Sequence, residues 1–363
     1  MKMKKYCALF LLAFWLFLTA FAWLRPSDEL SDSERRPLAQ RPSFTAESVL
    51  NGSFMKDFES YSLDQFPLRD SFRTVKALFA THILGQKDNN GIYITKDYAV
   101  KQEYPLDSDS VQRAAARFSY VYEKYLTESD AFFAIVPDKG QYLAEESGHL
   151  TLSYGEMDAI LRQELPWATH VNLLAALEYD DFYRTDTHWR QENLFEAAKT
   201  ICDALNVTAP DRADFSPVII DRPFYGVYYG QAALPMEPDE LVVMESSLLS
   251  DCVVYDHESG KNGLVYDRSK LESKDLYDIF LSGSRSLLTV ENPNAATDKE
   301  LIVFRDSFGS AMIPLILTDY AKVTAVDIRY IHPDLLERFI DFHGQDVLFL
   351  YSTLVLNNSE TIK

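Results

Sequence analysis

The chain has 363 residues, of which 47% are hydrophobic and 13% aromatic, so it can bury a sizeable core and is not disordered outside its ends. Its formal net charge is −20, from 55 acidic residues against 35 lysines and arginines. Such a surface repels phosphate backbones, and we therefore expect no nucleic acid partner.

The N-terminus carries the clearest topological signal. Lys2, Lys4 and Lys5 precede an uncharged apolar stretch, residues 7–24, which is long enough to span a bilayer as a helix. Lysines on the cytoplasmic side would place the remaining chain outside the cell. Two interpretations stay open: an uncleaved anchor, which we favour because bulky aromatic residues continue to the end of the stretch, and a signal peptide cleaved at Ala22. We predict a single-pass cell-membrane protein that is extracytoplasmic, or secreted if the segment is cleaved.

Three regions follow residues 1–24 along the chain. Residues 25–88 begin as a proline-containing, charged linker and continue as a helical lead-in, with helices predicted at 46–61 and 68–84. From residue 89 to 358, strands and amphipathic helices alternate, which is typical of an α/β domain with a mostly parallel sheet covered on both faces. Strands are predicted at 91–95, 131–140 (ending in a loop), 300–306, 322–330 and 346–352, and helices at 109–128, 153–165 and 190–205. Residues from about 215 to 292 are rich in β-branched and aromatic residues between glycines and prolines, and we predict a β-rich insertion there.

A serine lies where a buried strand gives way to a helix. Ser307 follows the apolar run "LIVF" and the pair Arg305–Asp306, and helical spacing of apolar residues begins directly after it. This position exposes a hydroxyl at the carboxyl edge of a parallel sheet, at a helix N-terminus that favours a developing oxyanion. The alternative is a serine that only caps the helix.

An acid and an imidazole are two residues apart in the stretch "YRTDTHWRQE". In an extended segment Asp186 and His188 point to the same side, so the carboxylate can bond one ring nitrogen while the other faces outward. A base held in this way is what a serine nucleophile needs, because its hydroxyl is a weak nucleophile at neutral pH. A lone histidine that only makes structural hydrogen bonds is the competing interpretation.

These motifs resemble those of the DHHW family, exported bacterial proteins named for an Asp-His-His-Trp motif and related to the SGNH-hydrolase-like proteins of alginate and cell-envelope polysaccharide O-acetylation. The resemblance covers most of residues 35–358. It is carried by segments that occur in the expected order, namely "QRPSF" (40–44), "YSLDQFPLRDSF" (61–72), "IVPDKGQYL" (135–143), "TDTHW" (185–189), "RDSFGS" (305–310) and "DVLFLYSTLVLNN" (346–358).

The resemblance implies an SGNH-hydrolase-like, flavodoxin-like three-layer domain with catalytic Ser307, His188 and Asp186. Because the Asp-x-His pair precedes the serine, the motif order is that of a circular permutation. The sequence departs from the pattern in two places: Thr187 replaces the first histidine of the family name, and Arg305–Asp306 replaces the usual Gly-Asp before the serine. The separate Gly and Asn blocks of the SGNH oxyanion hole have no counterpart, which leaves Gly283 and the Ser307 main-chain N–H as candidate donors.

Other residues are candidates for substrate contact. Trp189 is predicted either to stack on a sugar or to pack beneath His188, and Lys139 either to line the same sheet edge or to lie in a solvated loop. Arg329 has two comparable interpretations, an anion-binding guanidinium and a structural partner of an acid such as Asp327. No Cys/His cluster indicates a metal site, and we expect no cofactor. Cys202 and Cys252 are either a disulfide in an oxidising compartment or two buried thiols.

The preferred function is an exported, membrane-tethered acyl-ester enzyme, an O-acetyltransferase of a cell-envelope polysaccharide. By resemblance, a membrane-bound O-acyltransferase partner would supply the acyl group. The alternatives are a carbohydrate esterase that uses the same three residues and a non-catalytic polysaccharide-binding protein on the same fold.

Overall fold

The computed structural model describes residues 2–31 and 33–363. Three parts of the predicted regions lie outside the described residues: Met1 of the N-terminal region, the side chain of Lys2 before the apolar stretch, and Asp32 of the linker. The chain forms two compact units. The first consists of the residues up to Asn90 together with Tyr229–Met236, and the second of Gly91–Tyr228 and Glu237–Lys363.

The first unit begins with an apolar helix and continues with short helices. The helix over Lys4–Leu24 has a mean hydropathy of 2.3 and is long and apolar enough to cross a membrane, which is compatible with a signal anchor or a signal peptide. The helix predicted at 46–61 is divided in two, because Gly52 adopts a left-handed φ of 81° between the two halves. The elements are α1 (Lys2–Leu24), β1 (Leu30–Ser31), β2 (Arg36–Pro37), α2 (Ala46–Leu50), α3 (Ser53–Asp64) and α4 (Arg69–Leu78), which runs into a π-helical turn at Phe79–Ile83.

The second unit alternates strands and helices. Its strands are β3 (Ile92–Thr95), β4 (Tyr98–Lys101), β5 (Ala131–Val136), β6 (Thr169–Val171), β7 (Ser216–Ile219), β8 (Val242–Glu245), β9 (Val253–Asp256), β10 (Lys261–Gly263), β11 (Leu287–Glu291), β12 (Lys299–Arg305), β13 (Tyr320–Val326) and β14 (Asp346–Ser352). The helices from here to the C-terminus are α5 (Ser108–Val121), α6 (Gly140–Ser147), α7 (Tyr154–Glu164), α8 (Phe195–Leu205), α9 (Val227–Ala232), α10 (Gly309–Ile316) and α11 (Thr353–Leu356).

A central sheet of eight strands organises the second unit. The strand order is β10-β9-β11-β13-β12-β14-β5-β6. The five strands from β13 to β6 are parallel to one another, whereas β11, β9 and β10 continue the sheet in antiparallel fashion. The predicted α/β class with a mostly parallel sheet is therefore confirmed. Of the five strands between residues 215 and 292, three extend this sheet, and β7 and β8 form a separate antiparallel pair.

Helices cover both faces of the sheet. On β12 the side chains of Leu301 and Val303 pack in one core with residues of α8 and α10, while Ile302 and Phe304 pack in the other with residues of α5 and α7. This alternation is the two-residue period of a strand that is buried on both sides. Cys202 and Cys252 are both buried free thiols, which answers the question that the sequence leaves open.

Candidate active site

Ser307 lies in a tight turn at the carboxyl end of β12. The carboxylate of Asp306 fixes this turn, because Oδ1 accepts a hydrogen bond from the main chain of Phe308 (3.0 Å) and Oδ2 accepts one from the main chain of Ser352 (2.8 Å) at the end of β14. Asp306 is almost fully buried, whereas Ser307 is half-buried. The turn therefore presents the Ser307 hydroxyl at the sheet edge and ties it to the neighbouring strand.

Arg305 lies beneath the same turn. Its side chain is fully buried and donates from Nη1 to the main-chain oxygen of Asp306 at 3.3 Å. Burial lowers the pKa of this guanidinium, and the nearby Asp327 opposes that effect. A Cβ at Gly309 would lie 2.7 Å from the Arg305 Cβ, so the first residue of α10 leaves room for the arginine stem only because it is glycine. An arginine therefore fits directly before Asp306.

Three predicted side chains meet in a hydrogen-bonded line. His188 Nε2 lies 2.8 Å from Ser307 Oγ, and His188 Nδ1 lies 2.6 Å from Asp186 Oδ1. The serine and the histidine are 119 residues apart in the chain. Because the Asp186 carboxylate accepts from Nδ1–H, Nε2 is left as the acceptor for the serine hydroxyl. This is the geometry of a nucleophile, its base and the acid that orients the base.

The Asp186 carboxylate is fully buried but well supplied with donors. Besides the imidazole, Oδ1 accepts from the main chain of His188 at 3.1 Å, and Oδ2 accepts from the main chain of Val227 at 2.8 Å. Asp239 holds the preceding residue, accepting from Thr185 N at 2.8 Å and from Thr185 Oγ1 at 2.6 Å. A buried carboxylate is tolerated only when it is paired in this way, so these bonds fix its direction.

Lys139 supports the Asp186 loop from within and does not line a surface. The side chain is 2% exposed, and Nζ donates to the main-chain oxygens of Tyr183 (2.8 Å), Arg184 (3.3 Å) and Asp186 (2.8 Å). Burial lowers the pKa of this ammonium to about 7, against the opposing influence of Asp186 and Asp239. Lys139 thus holds the Asp186 loop in place. It follows β5 at the sheet edge considered in the sequence analysis, whereas the solvated loop is wrong because the side chain is buried.

Tyr277 packs against the imidazole and is not evident from the sequence. Its ring is stacked on His188 with centroids 3.8 Å apart and an interplanar angle of 8°, and Phe308 contacts the imidazole at 4.9 Å. The aromatic contacts restrict the orientation of the histidine. No local pattern distinguishes Tyr277 from the chain's other tyrosines, because the contact depends on the fold.

The side chains of Trp189, Arg329 and Thr187 all make hydrogen bonds within the protein. Trp189 is fully buried and donates from Nε1 to the Phe308 main-chain oxygen at 3.1 Å, so it packs beneath the serine turn and offers no face to a sugar. Arg329 is committed to Asp327, with Nε–Oδ1 at 2.9 Å and Nη2–Oδ2 at 2.6 Å. Thr187 accepts a hydrogen bond from the Tyr228 hydroxyl at 3.1 Å.

The two oxyanion donors suggested by the sequence differ in availability. The Gly283 N–H is used by a 3.1 Å bond to the main-chain oxygen of Phe280. Across residues 2–31 and 33–363, by contrast, no hydrogen bond is formed by the Ser307 main-chain N–H. That group lies two residues before the start of α10 and is not used by the fold, so it stays a candidate oxyanion donor. The same residues contain no group of three or more His, Cys, Asp or Glu side chains that could hold a metal ion.

Gly226 gives a direct test of the Asp186 position. A Cβ at this residue would lie 2.2 Å from the Asp186 Cβ, so Gly226→Ala must displace the loop that carries the carboxylate. We expect acyl-ester turnover to fall by about 100-fold, since a displacement of about 1 Å has this effect on aligned groups. Gly155→Ala is the matched control, because nothing lies within 4 Å of the added methyl group. Equal turnover by both variants would contradict the assigned role of the loop.

Lys139 gives a pH-dependent signature. Its folded pKa of about 7 lies below the ordinary 10.5, so between these values the unfolded chain binds more protons than the folded chain. The free energy of unfolding should therefore gain a contribution as pH rises from about 7 to about 10.5, and lose it as pH falls. Lys139→Met should remove that pH dependence, as measured by denaturant unfolding across this range. The exposed Lys199→Met is the control, and identical pH slopes in all three proteins would refute the prediction.

The chain is similar to one protein family and to several solved structures. Residues 172–326 match the family described as DHHW protein. A DHHW family protein from Eubacterium siraeum DSM 15702 is 22% identical and has a TM-score of 0.63, with 76% of this chain and 95% of that chain covered. PatB1 of Bacillus cereus is 16% identical and has a TM-score of 0.60, with 75% of this chain and 98% of that chain covered. The structure of PatB1 with a sulfonyl adduct is also 16% identical and has a TM-score of 0.58, with 73% of this chain and 95% of that chain covered.

No curated protein matches the chain. The solved structures establish the fold, since each covers about three quarters of this chain at low identity. The matched range contains Asp186, His188 and Ser307. The resemblance to the DHHW family predicted from the sequence is confirmed by the match of residues 172–326 to that family.

Proposed function

We propose that this protein is an exported, membrane-tethered acyl-ester enzyme that transfers acetyl groups onto a cell-envelope polysaccharide. The main support is one observation: Asp186, His188 and Ser307 are joined by consecutive hydrogen bonds of 2.6 and 2.8 Å. An isolated serine cap or a structural histidine would not require a second, buried acid behind the imidazole.

The first half-reaction forms an acyl-serine. Ser307 Oγ attacks the carbonyl carbon of the acyl donor while His188 Nε2 takes the hydroxyl proton, and the Asp186 carboxylate stabilises the resulting imidazolium. The carbonyl oxygen becomes an oxyanion, for which the Ser307 N–H and the N-terminus of α10 are the nearest donors. His188 then gives the proton to the leaving oxygen, and the acyl group remains on Ser307.

The second half-reaction uses the same base. A sugar hydroxyl attacks the acyl carbon, His188 takes its proton, and the proton returns to Ser307 Oγ as the ester bond to the enzyme breaks. With water in place of the sugar, the identical steps give hydrolysis. Whether the enzyme is a transferase or an esterase therefore depends on the acceptor, because the three side chains perform the same steps in both reactions.

Family resemblance and fold support transfer to an envelope polysaccharide. The DHHW match connects the chain to the SGNH-like proteins of polysaccharide O-acetylation, and the order of Asp186, His188 and Ser307 fits a circularly permuted domain of that kind. PatB1, which shares the fold, has been determined with a sulfonyl adduct. The apolar α1 would hold the domain at the outer face of the membrane, where a membrane-bound O-acyltransferase could supply acyl groups.

Substitution of the triad tests the enzyme. Ser307→Ala and His188→Ala, made in the full chain in detergent micelles, should each reduce turnover of p-nitrophenyl acetate by about 10⁴-fold or more. A sulfonyl fluoride should add one sulfonyl group to the wild type and none to Ser307→Ala, as read by mass spectrometry. Ser310→Ala is the matched control, because this buried serine is three residues further along the same turn and helix. Equal turnover in the wild type and the triad variants would eliminate the catalytic role.

The acceptor decides between transfer and hydrolysis. With an acetyl donor and a chito-oligosaccharide present, we expect the wild type to produce acetylated oligosaccharide, detected by mass spectrometry, in preference to free acetate. Ser307→Ala should produce neither product. Release of acetate with no sugar ester, over a panel of envelope oligosaccharides, would favour the esterase alternative.

A further inference from the structure

One face of the His188 imidazole is covered by an aromatic ring. Tyr277 lies parallel to it, with ring centroids 3.8 Å apart and an interplanar angle of 8°. Phe308 contacts the same imidazole with its ring tilted by 53°. A parallel aromatic ring presents its electron-rich face to the group stacked on it. Tyr277 is therefore placed to interact with charge on His188, in addition to restricting the orientation of the imidazole.

The turn that carries Tyr277 is held by the surrounding chain. The residues Leu276–Ile279 form a 3₁₀ turn, and at its start the Asp275 carboxylate accepts a hydrogen bond from the Tyr277 main chain at 3.1 Å. Gly283 follows with a left-handed φ of 78°. A Cβ there would lie 2.1 Å from Asp278 Oδ1, so a side chain at this position would displace Asp278. These contacts set the position of the tyrosine ring before a substrate binds.

Both stacked rings are withdrawn from solvent. His188 is 8% exposed and Tyr277 is 3% exposed. In the proposed reaction, a proton taken from Ser307 would place a positive charge on the imidazole where water has little access. A buried charge is costly unless neighbouring groups stabilise it. The Asp186 carboxylate would do so at the Nδ1 edge, 2.6 Å away, and the stacked ring would do so at the face.

Tyr277 remains an uncharged phenol. Burial raises the pKa of Tyr277 well above its ordinary value of 10.0, and the nearby carboxylates of Asp186 and Asp306 raise it further. The side chain therefore neither releases its proton at neutral pH nor pairs with the imidazolium as an anion. What it offers is the π face of a neutral ring, which attracts a cation that lies within about 6 Å of its centroid.

We propose that Tyr277 stabilises the imidazolium form of His188 through a cation–π interaction, and thereby accelerates both steps of acyl transfer. The attraction is weak for the neutral imidazole and becomes stronger when His188 takes the proton of the attacking hydroxyl. An interaction that is stronger in the transition state than in the ground state raises the rate. Tyr277 acts through His188 and is a positioning residue. The proposal rests on the proposed acyl-transfer function.

Substitution at position 277 tests the interaction in the full chain in detergent micelles. Tyr277→Phe keeps the aromatic face and should leave kcat/KM for p-nitrophenyl acetate within about threefold of the wild type, whereas Tyr277→Leu should lower it by about 10-fold. Phenylalanine with one, two or three fluorine atoms is then introduced at this position by amber suppression. Fluorine withdraws electrons from the π face and changes the shape of the ring little. Each added fluorine should therefore lower kcat/KM further, which a ring that only fills space would not do.

Tyr122 provides the matched control. Its ring stacks on Trp167 with centroids 4.2 Å apart and an interplanar angle of 9°. These two rings pack against the opposite core from the one that contains Tyr277, so the same fluorinated residues at position 122 should leave kcat/KM unchanged.

The outcomes separate this interaction from the proposed function. Equal kcat/KM along the fluorinated series at position 277, in a protein whose turnover is lost in Ser307→Ala, would overturn the cation–π interaction and leave the proposed function standing. A wild type without turnover would overturn both. Circular dichroism of each variant verifies that the fold is intact, and the fluorinated series decides the question even where Tyr277→Leu does not fold.

Discussion

The site depends on the burial of one carboxylate. Asp186 has no exposed surface, and such a group is stable only with donors on each oxygen. The imidazole and main chain of His188 supply two donors and the main chain of Val227 supplies a third. Lys139 acts one bond further away, by binding the carbonyl oxygen of Asp186 itself. Loss of the Val227 or Lys139 bond would release Oδ2 or the main chain of Asp186, and the carboxylate whose Oδ1 orients Nδ1 would no longer be fixed.

The parallel sheet brings these partners together. The carboxyl ends of β5, β14 and β12 are neighbours, so the residues that follow them share one edge. Asp138, directly after β5, accepts from Thr353 Oγ1 at 2.8 Å, and Asp306, after β12, accepts from Ser352 N at 2.8 Å. Two buried acids thus join three adjacent strand ends. The serine turn is rigid for this reason, and the imidazole meets a hydroxyl whose position is already set.

The sequence predicts the parts of this arrangement that local pattern encodes. Alternating apolar strands and amphipathic helices predict the sheet, and the pairing of Asp186 with His188 follows from their spacing. The roles of Gly226, Tyr277 and Lys139 depend on contacts between distant segments, for which a single sequence holds no signal. Trp189 is a further example. From the sequence, an aromatic residue next to His188 could equally stack on a sugar or pack in the core, and only the fold distinguishes these two interpretations. In the first unit, the helix predicted across 46–61 is interrupted at Gly52, because the spacing of apolar residues does not reveal a left-handed glycine.

The packing around the imidazole bears on the choice of acceptor. His188 is 8% exposed, with Tyr277 stacked on its ring and Phe308 beside it, and its Nε2 lies 2.8 Å from Ser307 Oγ. In the proposed mechanism, an acceptor would have to come next to the acyl-serine to reach this nitrogen. Water would meet this requirement without a binding site, whereas a sugar hydroxyl would have to be aligned by the rest of its chain. Transfer would therefore require binding energy from sugar units beyond the reacting hydroxyl, because such contacts would hold the acceptor oxygen in line.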